Sequence, residues 1–230
     1  MTLATLQHRL TRTLPDARIE PVTLPDCGGL RLGLINADYQ TGPLDPDVMR
    51  AVIREPAYWS FCWGSGLALA RYLLGEPRWV RGRTVIDLGS GSGVAAIAAA
   101  LAGARRVIAC DIDPDALLAT RANAALNGVM LEAADRLPSA EDGSPLIADV
   151  LLMADVLYDR VNLPLLKTAQ RHAHEILVAD SRVTTLPDTD YREITTIEAR
   201  TLPNLGEFDE FRTAHLFHWQ APSRDGVSGS

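Results

Sequence analysis

"VIDLGSGSGVAAIAAALAGARRVIACDIDPDALLATRANAALNGV" runs from Val85 to Val129. A short apolar run, TVIDLG, meets a turn with glycine at 89, 91 and 93. Val94 to Ala102 then reads as a buried helix rich in alanine. A second apolar run, RRVIACDI, leads into PDALLATRANAALNG, with Pro114 near the first turn of a helix and Gly128 at its end. Strand alternating with helix is the unit of a parallel sheet covered on both faces.

The pattern continues on either side. Upstream, SGLALARYLLGEP reads as a helix ended by Gly75 and Pro77, and Leu3, Leu6, Leu10 and Leu14 have the spacing of an amphipathic helix stopped by Pro15. ARIEPVTL and LRLGLIN suggest short strands, and GPLDPDVMRAVIREP a loop and a short helix. Downstream, ADVLLMADVL and EILVADSR are further strands. YREITTIEART and TAHLFHWQ are β-patterned runs whose link, about ten residues, is too short for a crossover helix, so they should pair antiparallel. Residues 1–55 are expected to form an N-terminal extension, 56–220 the main domain and 221–230 a disordered tail.

Composition narrows the function. A net charge of −7 argues against a chain whose task is gripping nucleic-acid backbone. Cys27, Cys62 and Cys110 form no CxxC pair, which favours a reducing compartment over a disulfide frame or zinc site. No apolar run has the length of a membrane span, and the first twenty residues lack the apolar core of a signal peptide. The expectation is a soluble cytoplasmic protein, with no membrane or nucleic-acid partner. His172 with His174, and His215 with His218, have spacings that place the members of each pair on different faces, so no metal site is expected.

Three ligands use glycine turns after a first strand. A nucleoside triphosphate needs GxxxxGK[ST], and this turn and its helix contain no lysine. A dinucleotide fits less badly, but the sixth position of its GxGxxG is Val94, and Asp87 at the strand end would oppose a pyrophosphate. That carboxylate suits a ligand with a cationic end, such as S-adenosylmethionine (SAM). Asp111, ending the next strand, can accept hydrogen bonds from ribose hydroxyls, though NAD sites share this acid. The antiparallel pair at the C-terminus favours the SAM-binding variant of the fold.

The stretch YWSFCWGSGLALARYLL, from Tyr58, together with VRGRTVIDLGSGSGVAAIAAALAGARRVIACDIDPDALLATRANAALNGV resembles the class I, seven-β-strand SAM-dependent methyltransferases. Within them it is similar to the electron-transfer-flavoprotein β-subunit lysine methyltransferase group and its bacterial relatives, over roughly residues 56–220. The resemblance implies a doubly wound, Rossmann-like α/β fold. Its seven-stranded sheet would have the order 3-2-1-4-5-7-6, counted along the chain, with the last strand antiparallel. It implies a cofactor site with Trp63 of a W-x-G element against SAM, Asp87, Gly89, Gly91 and Gly93 around the methionine part, Asp111 on the ribose, Asp135 toward the adenine amino group and Ala154 facing the methyl. It also aligns DVLY, Asp155 to Tyr158, with the D-x-x-Y motif of the protein-lysine branch, which implies catalytic roles for Asp155 and Tyr158.

The implied activity is SAM-dependent N-methyl transfer, with a protein lysine as acceptor. The protein partner would be the electron-transfer flavoprotein β-subunit or another lysine-bearing protein. Methylation of a small-molecule amine and a non-catalytic SAM-binding sensor or scaffold are the alternatives. A nucleic-acid amino-methyltransferase would show an Asn-Pro-Pro-Tyr-like motif where ADVLY stands. Mammalian members carry G-D-P-G-R after the fifth strand. Here ADSRVTTLP keeps Asp180 and Arg182 without the Pro-Gly pair, so the resemblance carries the reaction further than the particular substrate. The competing reading of Asp155 is a helix N-cap, common after a parallel strand. The acidic GEFDEF loop, Glu207 to Phe211, reads as a solvated turn or a landing place for a basic surface.

Overall fold

The run Thr84–Leu88 (β3) lies at the centre of the sheet because alternate side chains are apolar toward both faces. Val85 joins Val107 and Val150 in one core layer, and Ile86 joins Ile108 and Leu151 in the other. The computed structural model describes residues 2–39, 42, 45–139, 145, 147–204 and 212–222. The GEFDEF loop and residues 223–230 of the expected tail lie outside them.

Along the chain the elements are α1 (Leu3–Thr13), β1 (Ile19–Thr23), β2 (Arg31–Ile35), α2 (Pro46–Arg54), α3 (Gly64–Gly75), β3, α4 (Val94–Leu101), β4 (Arg106–Cys110), α5 (Pro114–Leu126), β5 (Glu132–Ala134), β6 (Ala148–Ala154), α6 (Leu165–Ala169), β7 (Ala173–Asp180), β8 (Arg192–Glu198) and β9 (Thr213–Gln220). Seven strands form one sheet in the order β5-β4-β3-β6-β7-β9-β8. Numbered along the chain, this is the expected 3-2-1-4-5-7-6. β9 runs antiparallel to both neighbours, while β3, β4, β5, β6 and β7 pair in parallel.

α3, α4 and α5 cover one face and α6 the other. Gly66 lets α3 approach α4 closely: a Cβ there would lie 2.9 Å from Val94 Cγ1. α5 begins at Asp113, whose Oδ1 accepts from the Asp115 N–H at 2.8 Å, with Pro114 in the first turn. Two elements depart from the pattern read in sequence. β5 has only Glu-Ala-Ala and no alternation of its own, and it exists through pairing with β4 from Ile108 to Cys110. β6 stops at Ala154 rather than running on toward Leu157, because Asp155 adopts φ 52°.

The N-terminal residues pack into the main body. β1 and β2 form an antiparallel hairpin, and Leu32 and Leu34 share a core layer with α3 and α4. Leu6 and Leu10 of α1 are buried against Ala116, Ala119 and Ala122 of α5. Asn123 of α5 joins the two parts: its Oδ1 accepts from the Gly33 N–H at 2.7 Å and its Nδ2 donates to the Ser92 carbonyl at 2.9 Å. Among the described residues, no helix is long and apolar enough to cross a membrane.

Candidate active site

The carboxyl ends of β3, β4, β5 and β6 lie side by side, and the expected site residues sit on them or just beyond. This edge is where open α/β sheets take their ligands. The turn after β3 needs glycine in the physical sense: Gly89, Gly91 and Gly93 have φ of 77°, 52° and 84°. A Cβ on Gly89 would also stand 2.6 Å from Val156 Cγ2. The Gly89 and Ser90 N–H groups donate to the Cys110 carbonyl at 2.8 and 3.2 Å, tying the turn to β4. A Cβ on Gly91 would meet nothing within 4 Å, so that part of the turn faces open space.

Asp111 braces the turn from the side. Its Oδ2 accepts from the Gly91 N–H at 2.8 Å and its Oδ1 from the Asp113 N–H at 2.9 Å. Each oxygen keeps a further lone pair for a ligand. Asp135 follows β5, exposed and ion-paired with Arg136 at 3.1 Å. Ile112, beside Asp111, is 91% exposed, an apolar side chain at the rim that periodicity alone does not single out.

Two carboxylates at the strand ends cap helices they do not belong to. The N-cap positions of α3 and α4 are Trp63 and Gly93, and neither supplies a side-chain acceptor. Asp87, only 1% exposed, accepts from the Ala96 N–H in the first turn of α4 at 3.0 Å. Asp155 accepts from the Ser65 N–H at 3.0 Å and from the Ser65 hydroxyl at 2.5 Å. Burial pushes both carboxyls up to about 7, against the pull of these hydrogen bonds. Asp155 thus caps α3, a helix remote in sequence, rather than the chain that follows it.

Next to Asp155, across the pair Ala154 and Ala179, β7 ends in Asp180. Its Oδ1 accepts from the Arg182 and Val183 N–H groups, its buried Oδ2 has no partner within hydrogen-bond distance among the described residues, and burial raises its pKa against the pull of the backbone N–H groups. Neighbouring buried carboxyls of this kind mark candidate functional sites. Ala154 ends β6 half-buried.

An aromatic group borders these carboxyls. The Trp63 Nε1–H donates to the Tyr58 carbonyl at 3.0 Å. The Tyr58 ring lies edge-on to Trp63 at 5.8 Å between centroids and to Tyr158 at 6.3 Å. Trp59 is buried against the α1–α5 layer. Among the described residues no group of His, Cys, Asp and Glu is placed to hold a metal ion. His215 and His218 face Glu193 and Glu175 instead.

The family model described as ribosomal protein L11 methyltransferase (PrmA) matches residues 73–175. The electron transfer flavoprotein beta subunit lysine methyltransferase of Danio rerio is 39% identical over 131 residues, 54% of this chain and 49% of that protein. The protein of the same name from Mus musculus is 37% identical over 130 residues, 54% of this chain and 50% of its own length. The chain thus spans about half the length of these curated relatives. A 16S rRNA N2 G1207 methyltransferase from T. thermophilus aligns in structure with TM-score 0.55 and 14% identity, over 90% of this chain and 51% of that one, a likeness of fold. By its sheet order and its glycine turn the chain has the seven-stranded, Rossmann-like fold of the class I methyltransferases, and in sequence it is similar to the electron-transfer-flavoprotein β-subunit lysine methyltransferases and the L11 methyltransferases.

Proposed function

We propose that the protein is a SAM-dependent N-methyltransferase whose acceptor is a lysine side chain of a protein, working in the cytoplasm. The observation that carries this reading is the convergence on one sheet edge of the Asp111-braced glycine turn and the Asp155–Ser65 pair. The residues present fit SAM. The space above Gly91 is open, Asp111 has lone pairs for both ribose hydroxyls, and exposed Ile112 offers an apolar face beside them. Asp135 stands one strand further along for the adenine amino group, and Trp63 and Ala154 border the methionine end. Asp87 acts from beneath the turn, where its negative charge favours a cationic ligand. Residues 56–220 constitute the transferase domain on this reading, and 1–55 an extension that braces it.

Bound there, SAM supplies a methyl group on a cationic sulfonium, open to in-line attack by an amine. The chain's own work is positioning, worth up to about 7–11 kcal/mol in favourable cases. A lysine arrives as an ammonium with a reference pKa of about 10.4. Asp155 draws it in through the lone pairs that Ser65 leaves free and holds it in line. With its pKa raised to about 7, Asp155 is also a better proton acceptor than an ordinary carboxylate. Tyr158, half exposed at the rim, closes the approach.

The electron-transfer flavoprotein β-subunit is the first acceptor to try, given the names of the relatives. The test is incubation of the purified protein with radiolabelled SAM and a cell lysate. Label in a discrete protein band, mapped to lysine, is the expected result. Label confined to small molecules identifies an amine methyltransferase instead, and binding of SAM without any transfer identifies a sensor or scaffold.

A further inference from the structure

Tyr58 and Trp59 are neighbours with opposite fates. The short 3-10 turn at Tyr58–Ser60 sends Trp59 into the core and leaves Tyr58 50% exposed. Tyr158 is 54% exposed, and the two rings stand 62° apart at 6.3 Å. Neither ring is explained by core packing, and two large aromatic faces held open to water are the exception on a protein surface. Tyr58 is held in place: its carbonyl receives the Trp63 indole N–H, and its ring leans edge-on against Trp63.

We propose that Tyr58 is a substrate-positioning residue, forming with Tyr158 a two-walled aromatic rim that binds the alkylammonium end of the acceptor. The proposal rests on the lysine reading above and extends it to a residue outside the D-x-x-Y motif. The negative faces of tyrosine rings attract a cation within about 6 Å, and they do so whether or not the cation carries N–H groups. A carboxylate hydrogen-bonds an ammonium through its protons, and each methyl added removes one. The rim therefore adds to the charge attraction of the nearby carboxylates a contact that survives methylation, so a methylated lysine remains a ligand of the site. Asp155 lies three residues before Tyr158 in the chain, and Asp159 and Asp111 place negative charge close enough to the Tyr158 ring to be felt by it.

The test is a ligand-observed NMR titration of the full chain, with and without saturating S-adenosylhomocysteine. The probes are Nα-acetyl-Nε-trimethyl-lysine methylamide and its neutral isostere with a tert-butyl group in place of trimethylammonium. The cationic probe is expected to bind more tightly. Tyr58→Leu is expected to weaken it about two- to fivefold. Tyr58→Phe, which keeps the ring, should stay close to wild type, and both variants should bind S-adenosylhomocysteine as the parent does. Equal binding of the two probes, or a Tyr58→Leu variant that binds the cation as well as wild type, overturns the rim. Failure of S-adenosylhomocysteine to bind would instead remove the transferase reading, and the titration without it still decides the rim.

Discussion

Ser65 and Asp155 are 90 positions apart in the chain, yet the main-chain N–H and the hydroxyl of Ser65 both donate to the Asp155 carboxylate. The pair closes the N-terminus of α3 with a carboxylate from the end of β6. A buried acid is thereby held in one orientation at the edge where the acceptor amine would arrive. Asp155 is a helix cap in this structure, and the proposed catalytic role must be compatible with that.

Asp155→Asn separates the two roles. The amide oxygen still accepts from the Ser65 N–H, so the cap and SAM affinity should be nearly intact. The charge that draws in an ammonium is lost, and turnover should fall by one to three orders of magnitude, about 1.4–4 kcal/mol of transition-state stabilisation. Steady-state rates beside SAM titrations check this. Full activity in a variant that unfolds more easily would make Asp155 a cap and nothing more.

Ser65→Ala should act on pH dependence. The Ser65 hydrogen bonds lower the Asp155 pKa against the larger effect of burial. Without the hydroxyl, Asp155 should ionise at higher pH, moving the acid limb of the pH–rate profile upward. The main-chain cap contact remains, and loss of the hydroxyl bond to a carboxylate should cost about 1.5–3 kcal/mol at most. An unmoved acid limb would show that Asp155 ionisation does not control the rate.

Asp87 predicts a slope in stability. Its carboxyl is raised from 3.8 to about 7 in the fold, so between these values the native state holds more protons than the unfolded chain. The contribution is fully present below about 4 and lost as pH rises through about 7. Chemical denaturation of the ligand-free protein from pH 4 to 8 should show stability declining more steeply than in Asp87→Asn. Parallel curves for the two proteins would count against this assignment.

Asp111→Ala should weaken SAM binding, because it removes the proposed ribose acceptor and takes the side-chain partner from the Gly91 and Asp113 N–H groups. Charge-assisted contacts of this kind contribute about 1.5–3 kcal/mol each. In wild type, SAM should raise the melting temperature while NAD and ATP do not. A shift with NAD and none with SAM would overturn the cofactor assignment.

Asn123→Ala should loosen the glycine turn from a distance. It deprives the Gly33 N–H and the Ser92 carbonyl of their side-chain partner, and a buried unsatisfied group costs about 1–3 kcal/mol. Lower stability together with weaker SAM binding is expected, read by denaturation and calorimetry. Unchanged SAM affinity would mean the N-terminal hairpin supports the fold without bracing the site.

The sequence by itself determined what local periodicity and backbone chemistry dictate. β3, α4, β4 and α5 follow from apolar spacing, and the positive φ of Gly89, Gly91 and Gly93 from a turn that no other residue tolerates as well. The place of Asp111 at a strand end beside that turn was legible for the same reason. The sheet order was available only through resemblance to a known fold. What needed the tertiary structure was every relation between residues far apart in the chain. β5 has no pattern of its own and is made by β4; Asp87 and Asp155 become caps only when the sheet edge meets α4 and α3. Tyr58 meets Tyr158 only because β6 lies beside β3, across from the start of α3. Spacing along a strand or helix fixes which face a side chain takes. Which foreign donor or ring waits there depends on how sheet and helices pack, a long-range choice that no short window of sequence contains.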